Sequence, residues 1–476
     1  METNRLKKIA PLTYQLEKTG PMKVPGIFFA DEILLEGMDD KVLEQVANVA
    51  SLPGIAVASM AMPDAHWGYG FPIGGVGAFD PDRGGVISAG GVGFDIACGV
   101  RTMLTGIHRQ DVLDSRRELA DLLYQNIPAG LGSKGKLKVS GREMERLLTS
   151  GAAWAVKKGF GREQDLEMIE ESGTARGARP DLVSDKARQR QEKEMGTLGS
   201  GNHYLEVQAI DEIFDEKTAQ AFGLRKDDVV ISIHCGSRGL GHQVATDYMR
   251  LMAATACDQK IHLPDRDLAC APINSQTGKD YLGAMRAAIN CALANRQIIT
   301  HLVREALAGI FPRASLDLIY DVSHNTCREE YHEVRGVMTR LFVHRKGATR
   351  AFGPGSPDLP AKYAGTGQPV LVGGSMGTFS YILAGTEQGM KLSFGSACHG
   401  SGRVMSRKQA TKRFQAKKII NDLLEQNIEI RGHSLRGLAE EAPDSYKDVN
   451  RVIQVSHDSG LAKKVARLKP MICVKG

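Results

Sequence analysis

The sequence predicts an α+β protein: mixed β-sheets with surrounding helices, in one large domain spanning residues 1–476. Short β-branched runs stop at motifs carrying glycine and histidine. Amphipathic helical stretches lie between them without a regular strand–helix alternation. The motifs extend from Asp95 to His399, so a boundary between them would divide one site.

Each element has its own justification. Asp228–Ile233 predicts a strand with His234 just past it, and Leu316–Val322 another with His324 just beyond. Pro369–Val372 predicts a third, leading into Gly373-Gly374-Ser375-Met376-Gly377-Thr378. Side chains just past strand ends are held by a rigid sheet and still reach a cleft. Helices are predicted over Val112–Gln125, Asn290–Leu307 and Thr411–Gln426, the last from the spacing of Ile419, Ile420, Leu423 and Leu424. Their apolar stripes read as core-facing. Pro/Gly-rich Phe352–Gly367 reads as a long surface loop. The string Gly130-Leu131-Gly132-Ser133-Lys134-Gly135 has dinucleotide-loop spacing but follows a helical pattern, not a strand, so that reading lacks its context. No Gly-x₄-Gly-Lys-Ser/Thr loop occurs either.

Composition narrows the classes. Hydrophobic residues make up 42% and charged residues 24%, as in an ordinary globular protein. A formal charge of +6 fits a polyanionic partner without requiring one. The basic runs Lys134–Arg142 and Lys186–Arg190 read first as solvated faces. Eight scattered cysteines lack the C-x₂-C spacing of a zinc ribbon and read as reduced thiols, which suits a cytoplasmic protein. Residues Met1–Gly20 carry charge throughout, and no apolar run reaches membrane-span length.

The chemistry gathers in the motifs. Gly395-Ser396-Ala397-Cys398-His399-Gly400-Ser401-Gly402-Arg403 sets one histidine among glycines, serines and an arginine. Such a segment can cradle a phosphate and present the histidine to it as nucleophile or metal ligand. Four further segments share this style, around Asp95 and Cys98, His203, His234, and His324. Thiolate, imidazole and carboxylate together suit divalent transition metals better than magnesium or calcium. Asp95, Cys98, His203, His234 and His324 exceed what one open tetrahedral site needs, whereas two metals sharing Cys98 would use them all. Asn202 offers an amide to a phosphate or to a ligand. Arg190, Arg238, Lys346, Arg403 and Arg407 supply positive charge near the motifs, although each alone reads as a solvated surface charge. Asp64 and His66, in Met62-Pro63-Asp64-Ala65-His66, read as supporting rather than catalytic.

Six segments together resemble the RtcB family of RNA-splicing ligases: Met62–His66, Gly93–Arg101, Gly196–His203, His234–Gly239, Ser323–Asn325 and Cys398–Gly400. The likeness reaches the terminal Val474-Lys475-Gly476. It says little over Ser133–Arg188 and Cys257–Phe311. It implies joining of RNA 3′-phosphate or 2′,3′-cyclic phosphate ends to 5′-hydroxyl ends, in tRNA splicing or RNA repair, with GTP as co-substrate and two Mn²⁺ ions bridged by Cys98. It implies that His399 is the residue guanylylated and that Asp95, Cys98, His203, His234 and His324 hold the metals. Nucleotide contacts are implied for Asn202, His203, Tyr204, Leu205, Glu206, His324, Asn325, Gly373, Gly374, Ser375, Met376, Ser380, His399, Gly400, Ser401, Gly402, Tyr446 and Lys475. RNA and an archease-type activator are the implied partners. Two rival readings remain: a dinuclear metallo-phosphoesterase, and an RNA-binding subunit without chemistry.

Overall fold

The computed structural model describes residues 3–476. Two large mixed sheets dominate it. One runs in the order Leu6–Ala10, Thr13–Leu16, Gly26–Phe29, Ile55–His66, Ile73–Phe79, Val337–Lys346, Asn325–Val334. The other runs Asp317–Ser323, Gly99–His108, Asp228–Cys235, Tyr204–Ile213, Ala462–Lys475, Ser380–Gly385, Pro369–Val372, with Glu429–Gly432 parallel to Ala462–Lys475. One hydrophobic cluster joins Phe79 and Val49 of the first sheet's side to Leu205 and Ile231 of the second. Another joins Phe28 and Val76 to Val370 and Leu383. The α+β class is therefore as predicted, with the two sheets sharing their apolar core.

Register in the second sheet places the motifs. Ser323 pairs with Gly99, Gly99 with Cys235, and Tyr204 with His234. Cys98, His203, His234 and His324 thus emerge at one end of four neighbouring strands. Lys475 pairs with Tyr204 and is carried to the same end. From elsewhere, Asp64 comes on the strand Ile55–His66, and His399 follows Ser396–Cys398, which pairs with Ala348–Arg350.

The predicted strands are present, with one shift: His234 lies within Asp228–Cys235 rather than past its end. The helix over Asn290–Leu307 is longer, Gln276–Ala308, and starts at Ser275, whose Oγ accepts from the Gly278 N–H at 3.2 Å. Its middle, residues 281–300, is buried nearly all round, so no polar stripe marked its full length in the sequence. Thr411–Gln426 is two helices, Arg407–Arg413 and Ala416–Glu425. Phe414 turns extended between them and enters an apolar cluster with Ile419 and Leu423. Phe352–Gly367 is not a plain surface loop. Phe352 and Tyr363 are buried, and the Tyr363 hydroxyl donates to the Ile319 carbonyl at 2.7 Å.

The long helix places a guanidinium in the middle of the protein. Arg296 is fully buried, and its N–H groups reach Asp321 Oδ1 at 2.8 Å, the Ala97 carbonyl at 2.8 Å and the Cys235 carbonyl at 2.9 Å. Arg101, also fully buried, donates to Asp321 Oδ2 at 2.6 Å. Burial alone would raise the Asp321 pKa, but Arg296 and Arg101 together hold it below the usual carboxylate range. Replacing Asp321 by Asn leaves two buried guanidinium groups without a counter-charge. The expected loss is about 3–5 kcal/mol of folding stability, read from urea unfolding midpoints; an unchanged midpoint would contradict this account.

Candidate metal centre and cleft

The five predicted ligands converge. Cys98 Sγ lies 3.3 Å from His203 Nε2 and 3.2 Å from His234 Nε2. His203 Nε2 lies 2.9 Å from Asp95 Oδ2, and His234 Nε2 lies 3.2 Å from His324 Nε2. Two overlapping triads result, Asp95/Cys98/His203 and Cys98/His234/His324, each with its ligand atoms within 4.8 Å of one another. Cys98 belongs to both.

Local structure sets the ligand orientations. His203 Nδ1 faces the Leu198 carbonyl at 3.0 Å, and His234 Nδ1 faces the Asn202 carbonyl at 3.1 Å. A carbonyl only accepts, so Nδ1 carries the proton in each. His234 turns a bare Nε2 inward, whereas Cys98 and Asp95, working against burial, hold His203 well above the ordinary imidazole value, so its Nε2 also carries a proton, toward Asp95, until a cation displaces it. Asn325 donates to the Asp95 carbonyl at 3.1 Å and accepts from the Gly347 N–H at 2.8 Å, which locks two of the motif loops together.

This donor set fits a divalent cation. Burial pushes the Cys98 thiol up to about 12, with Asp95 adding to the effect. Burial holds His234 and His324 well below the ordinary imidazole value, so both are neutral. Their Nε2 atoms face each other at 3.2 Å, and Asp95 Oδ1 is buried without a partner. A cation between these groups would satisfy the lone pairs and deprotonate the thiol.

His399 stands beside the cluster, with its ring centroid 4.7 Å from that of His324. Its Nδ1 meets Asp64 Oδ2 at 2.7 Å, and the same oxygen accepts the His399 and Gly400 N–H groups at 3.0 and 3.3 Å. Asp64 is fully buried. Burial would raise its pKa, but the contacts with His399 lower it, so it is a carboxylate that fixes the imidazole's tautomer and aim. Asp64 therefore supports the nucleophile candidate, in keeping with the role expected of it. The close approach requires Gly402: at φ +74° its Cβ would lie 2.1 Å from the Asp64 carbonyl oxygen. His66 is neutral, pushed down to about 3 by burial.

A cleft of about 160 Å³ opens from the cluster. Asn202, Tyr204, His234, Gly373, Gly374, His399 to Gly402, Arg403, Arg407, Tyr446 and Lys475 line it, together with His66. A larger cavity of about 560 Å³ lies elsewhere, around Glu171, Arg286 and Arg328, but no predicted site residue lines it. The chemistry therefore marks the smaller cleft.

Not every predicted contact is on the cleft wall. Leu205 and Met376 bury their side chains in apolar clusters, leaving only main chain to offer a ligand. Glu206, Ser380 and Gln208 form a buried polar row behind Tyr204. Gln208 Nε2 donates to Glu206 Oε2 at 2.8 Å and to Ser380 Oγ at 2.9 Å. Ser380 Oγ in turn accepts from the Gly374 N–H at 3.0 Å. Burial pushes Glu206 up to about 7, opposed by Lys475. Lys475 is itself buried, its ammonium 5.4 Å from the Tyr204 ring centroid. Ser375 caps the turn before Thr378, whose Oγ1 accepts from the Ser375 N–H at 2.7 Å.

The basic residues are tied to neighbours, although Arg190 and Arg407 keep the exposure expected of surface charges. Arg403 and Arg407 both bind Glu441, at 3.2 and 3.0 Å, and the Tyr446 hydroxyl also donates to Glu441. Glu441 is 1% exposed and carried no signal in the sequence. Lys346 is buried, donates to the Tyr69 carbonyl at 2.6 Å, and is pushed down to about 7 by burial. Arg238 donates to Thr197 Oγ1 at 3.2 Å and Arg190 to Gln243 at 3.1 Å.

The site is a compact Asp/Cys/His cluster able to hold a metal, beside a carboxylate-braced histidine and a glycine-rich cleft. The comparisons with known proteins give the family. The family model described as tRNA-splicing ligase RtcB matches residues 45–476. The tRNA-splicing ligase RtcB of Thermococcus kodakarensis is 50% identical over 477 residues, covering 99% of each chain. That of Methanococcus maripaludis is 50% identical over 475 residues, covering 98% of this chain and 99% of its own. The RNA-splicing ligase RtcB of Mycobacterium tuberculosis is 49% identical over 434 residues, covering 91% of this chain and all of its own. The chain belongs to the RtcB family.

Because Cys98 serves both triads, Cys98→Ala is expected to lose metal from both, whereas His203→Ala and His324→Ala each weaken one triad more than the other. Metal content after dialysis, measured by plasma mass spectrometry, checks this; full manganese loading of Cys98→Ala would refute the bridge.

Proposed function

We propose that this chain is an RNA ligase that uses GTP and manganese to join RNA 3′-phosphate or 2′,3′-cyclic phosphate ends to 5′-hydroxyl ends. The observation that carries the reading is the Asp64–His399 pair set against the metal-ligand cluster. With Nδ1 held by Asp64, His399 Nε2 attacks the α-phosphorus of GTP, the bond to the β-phosphate breaks, and pyrophosphate leaves. The RNA 3′-phosphate then attacks the phosphorus of the histidine–GMP adduct and releases His399, leaving a GMP-activated end. Where the end is cyclic, water first attacks its phosphorus and the bond to the 2′-oxygen breaks, which leaves a 2′-hydroxyl and the 3′-phosphate. The 5′-hydroxyl attacks the RNA phosphorus and GMP departs. Asp95, Cys98, His203, His234 and His324 would hold two Mn²⁺ ions, which neutralise phosphate charge when bound. The main chain at Gly373 and at Ser401–Gly402 lines the cleft and suits the phosphates. Glu206 as carboxylate accepts from guanine N–H groups, and Lys475 donates to the guanine carbonyl.

The names of the relatives support RNA as substrate and tRNA splicing as a role. Motifs from both sheets converge on one cleft, which supports reading the chain as a single catalytic domain. Among the described residues every cysteine is unpaired and no helix is long and apolar enough to cross a membrane, which favours a cytoplasmic setting. An archease-type activator is a candidate partner on the family resemblance alone.

Labelled GTP with manganese, followed by a denaturing gel, is the decisive experiment. Wild type is expected to retain label, and His399→Ala to lose it entirely while keeping its metal content. Asp64→Asn, which misaims the ring, is expected to slow labelling by roughly 10²-fold or more. Retained adduct in His399→Ala would end the assignment, and a metallo-phosphoesterase would form no adduct at all.

Glu206 sets a pH dependence. Its pKa is raised to about 7 in the fold, so the neutral form is favoured there and its contribution to folding is lost as pH rises through that value. Guanine recognition needs the charged form, so adduct formation at subsaturating GTP is expected to climb as pH passes about 7. Glu206→Gln should weaken GTP use and flatten that climb. An unaltered profile would remove Glu206 from guanine recognition.

A further inference from the structure

The loop after His66 exposes two large aromatic side chains beside the cleft: Trp67 is 60% exposed and Tyr69 66%. Single exposed aromatics are ordinary, but this loop is held rigid from beneath. Buried Gln45 donates to the Gly68 carbonyl at 2.6 Å and accepts its N–H at 3.2 Å. The Tyr69 carbonyl accepts from Lys346 at 2.6 Å and from the Phe71 N–H at 2.7 Å. Gly70 has φ +67°, and a Cβ there would lie 2.6 Å from the Asp267 carbonyl carbon. The side chains project from a fixed backbone.

The aromatic surface continues. Tyr69 meets Phe94 edge-on at 6.3 Å, and Phe94 stacks on His242 at 5.1 Å and 26°. Phe94 immediately precedes the candidate ligand Asp95, and Trp67 follows His66 on the cleft wall. Positive charge flanks the surface at exposed Arg190, which donates to Gln243 and lies near enough to His242 to act on its charge. Rigid exposed aromatic rings with a neighbouring cation, next to a phosphoryl-transfer cleft, match the way proteins hold unpaired nucleic-acid strands.

We propose that Trp67, Tyr69, Phe94 and His242 form a stacking platform for the unpaired nucleobases next to the RNA ends being joined. This rests on the ligase reading and adds how the strand is held. Stacking accepts any base, so the platform would favour single-stranded ends over duplex ones without selecting sequence.

The test uses the full-length protein with manganese, GTP and single-stranded RNA substrates. Trp67→Ala/Tyr69→Ala is expected to form the GMP adduct at the wild-type level and to show a KM for RNA raised roughly tenfold, the size of a lost base–aromatic stack. The Trp67→Phe/Tyr69→Phe variant should recover most of the affinity. Abasic nucleotides at the junction-proximal positions, placed in the 3′-phosphate or the 5′-hydroxyl strand in separate arms, should raise the wild-type KM and leave the alanine variant unmoved. The sensitive arm identifies the strand held. An unchanged KM in the alanine variant, or equal sensitivity of both proteins to abasic ends, would overturn the platform.

Fluorescence gives a readout independent of ligation. The chain has two tryptophans, and Trp154 is buried at 5% exposure. A single-stranded oligoribonucleotide should therefore quench Trp67, with the quench abolished in Trp67→Phe. Quenching without any ligation would leave the platform standing and remove the ligase reading; ligation without quenching would do the reverse.

Discussion

The Arg296–Asp321 ion pair is the constraint on which the site depends. Arg296 is an inward-facing guanidinium on a helix buried nearly all round. Its remaining donors satisfy the carbonyls of Ala97 and Cys235, the residues next to Cys98 and His234. Asp321 lies on the strand Asp317–Ser323, which ends just before His324. One side chain thus fixes three of the segments that carry ligands. Isolated buried charge is expensive, and the geometry here offsets that cost by satisfying nearly every donor and acceptor. A hydrophobic replacement could fill the space but could not hold three chain segments in register.

The same burial governs the chemistry. Cys98, His234 and His324 are buried, so the thiol stays protonated and these two imidazoles stay neutral until a cation arrives. The site is preorganised for charge it does not itself carry. Asp64 solves the complementary problem for His399. A fully buried carboxylate keeps one nitrogen occupied and leaves the other free to act.

Behind the cleft, polar groups hold one another. Glu441 draws Arg403, Arg407 and Tyr446 into a single arrangement on one wall. This uses up charge that the sequence seemed to offer freely to a polyanion; Arg407, half exposed, keeps the most donor capacity for a phosphate. Lys475, near enough to Glu441 to hold that carboxyl down, is placed by the end of the last strand, Ala462–Lys475, between Tyr204 and Gly432. Pairing in mid-sheet turns a terminal segment into part of the cleft.

The sequence by itself determined which residues are candidates for the site. Residue type alone proposed Asp95, Cys98, His203, His234, His324 and His399, because five glycine-rich segments in one chain, each offering a soft or borderline ligand, argue for one convergent site. It also determined the α+β class and three strands, since β-branched runs bounded by glycine are local signals. Only the tertiary structure decided how these groups meet. The register that aligns Gly99, Cys235 and Tyr204 is a pairing between distant segments and leaves no local trace. Arg296, Asp321 and Glu441 looked like ordinary charges because burial, not identity, gives them their roles. The break at Phe414 and the full length of Gln276–Ala308 escaped for the same reason: periodicity reports one buried face, and these segments are shaped by neighbours on several sides.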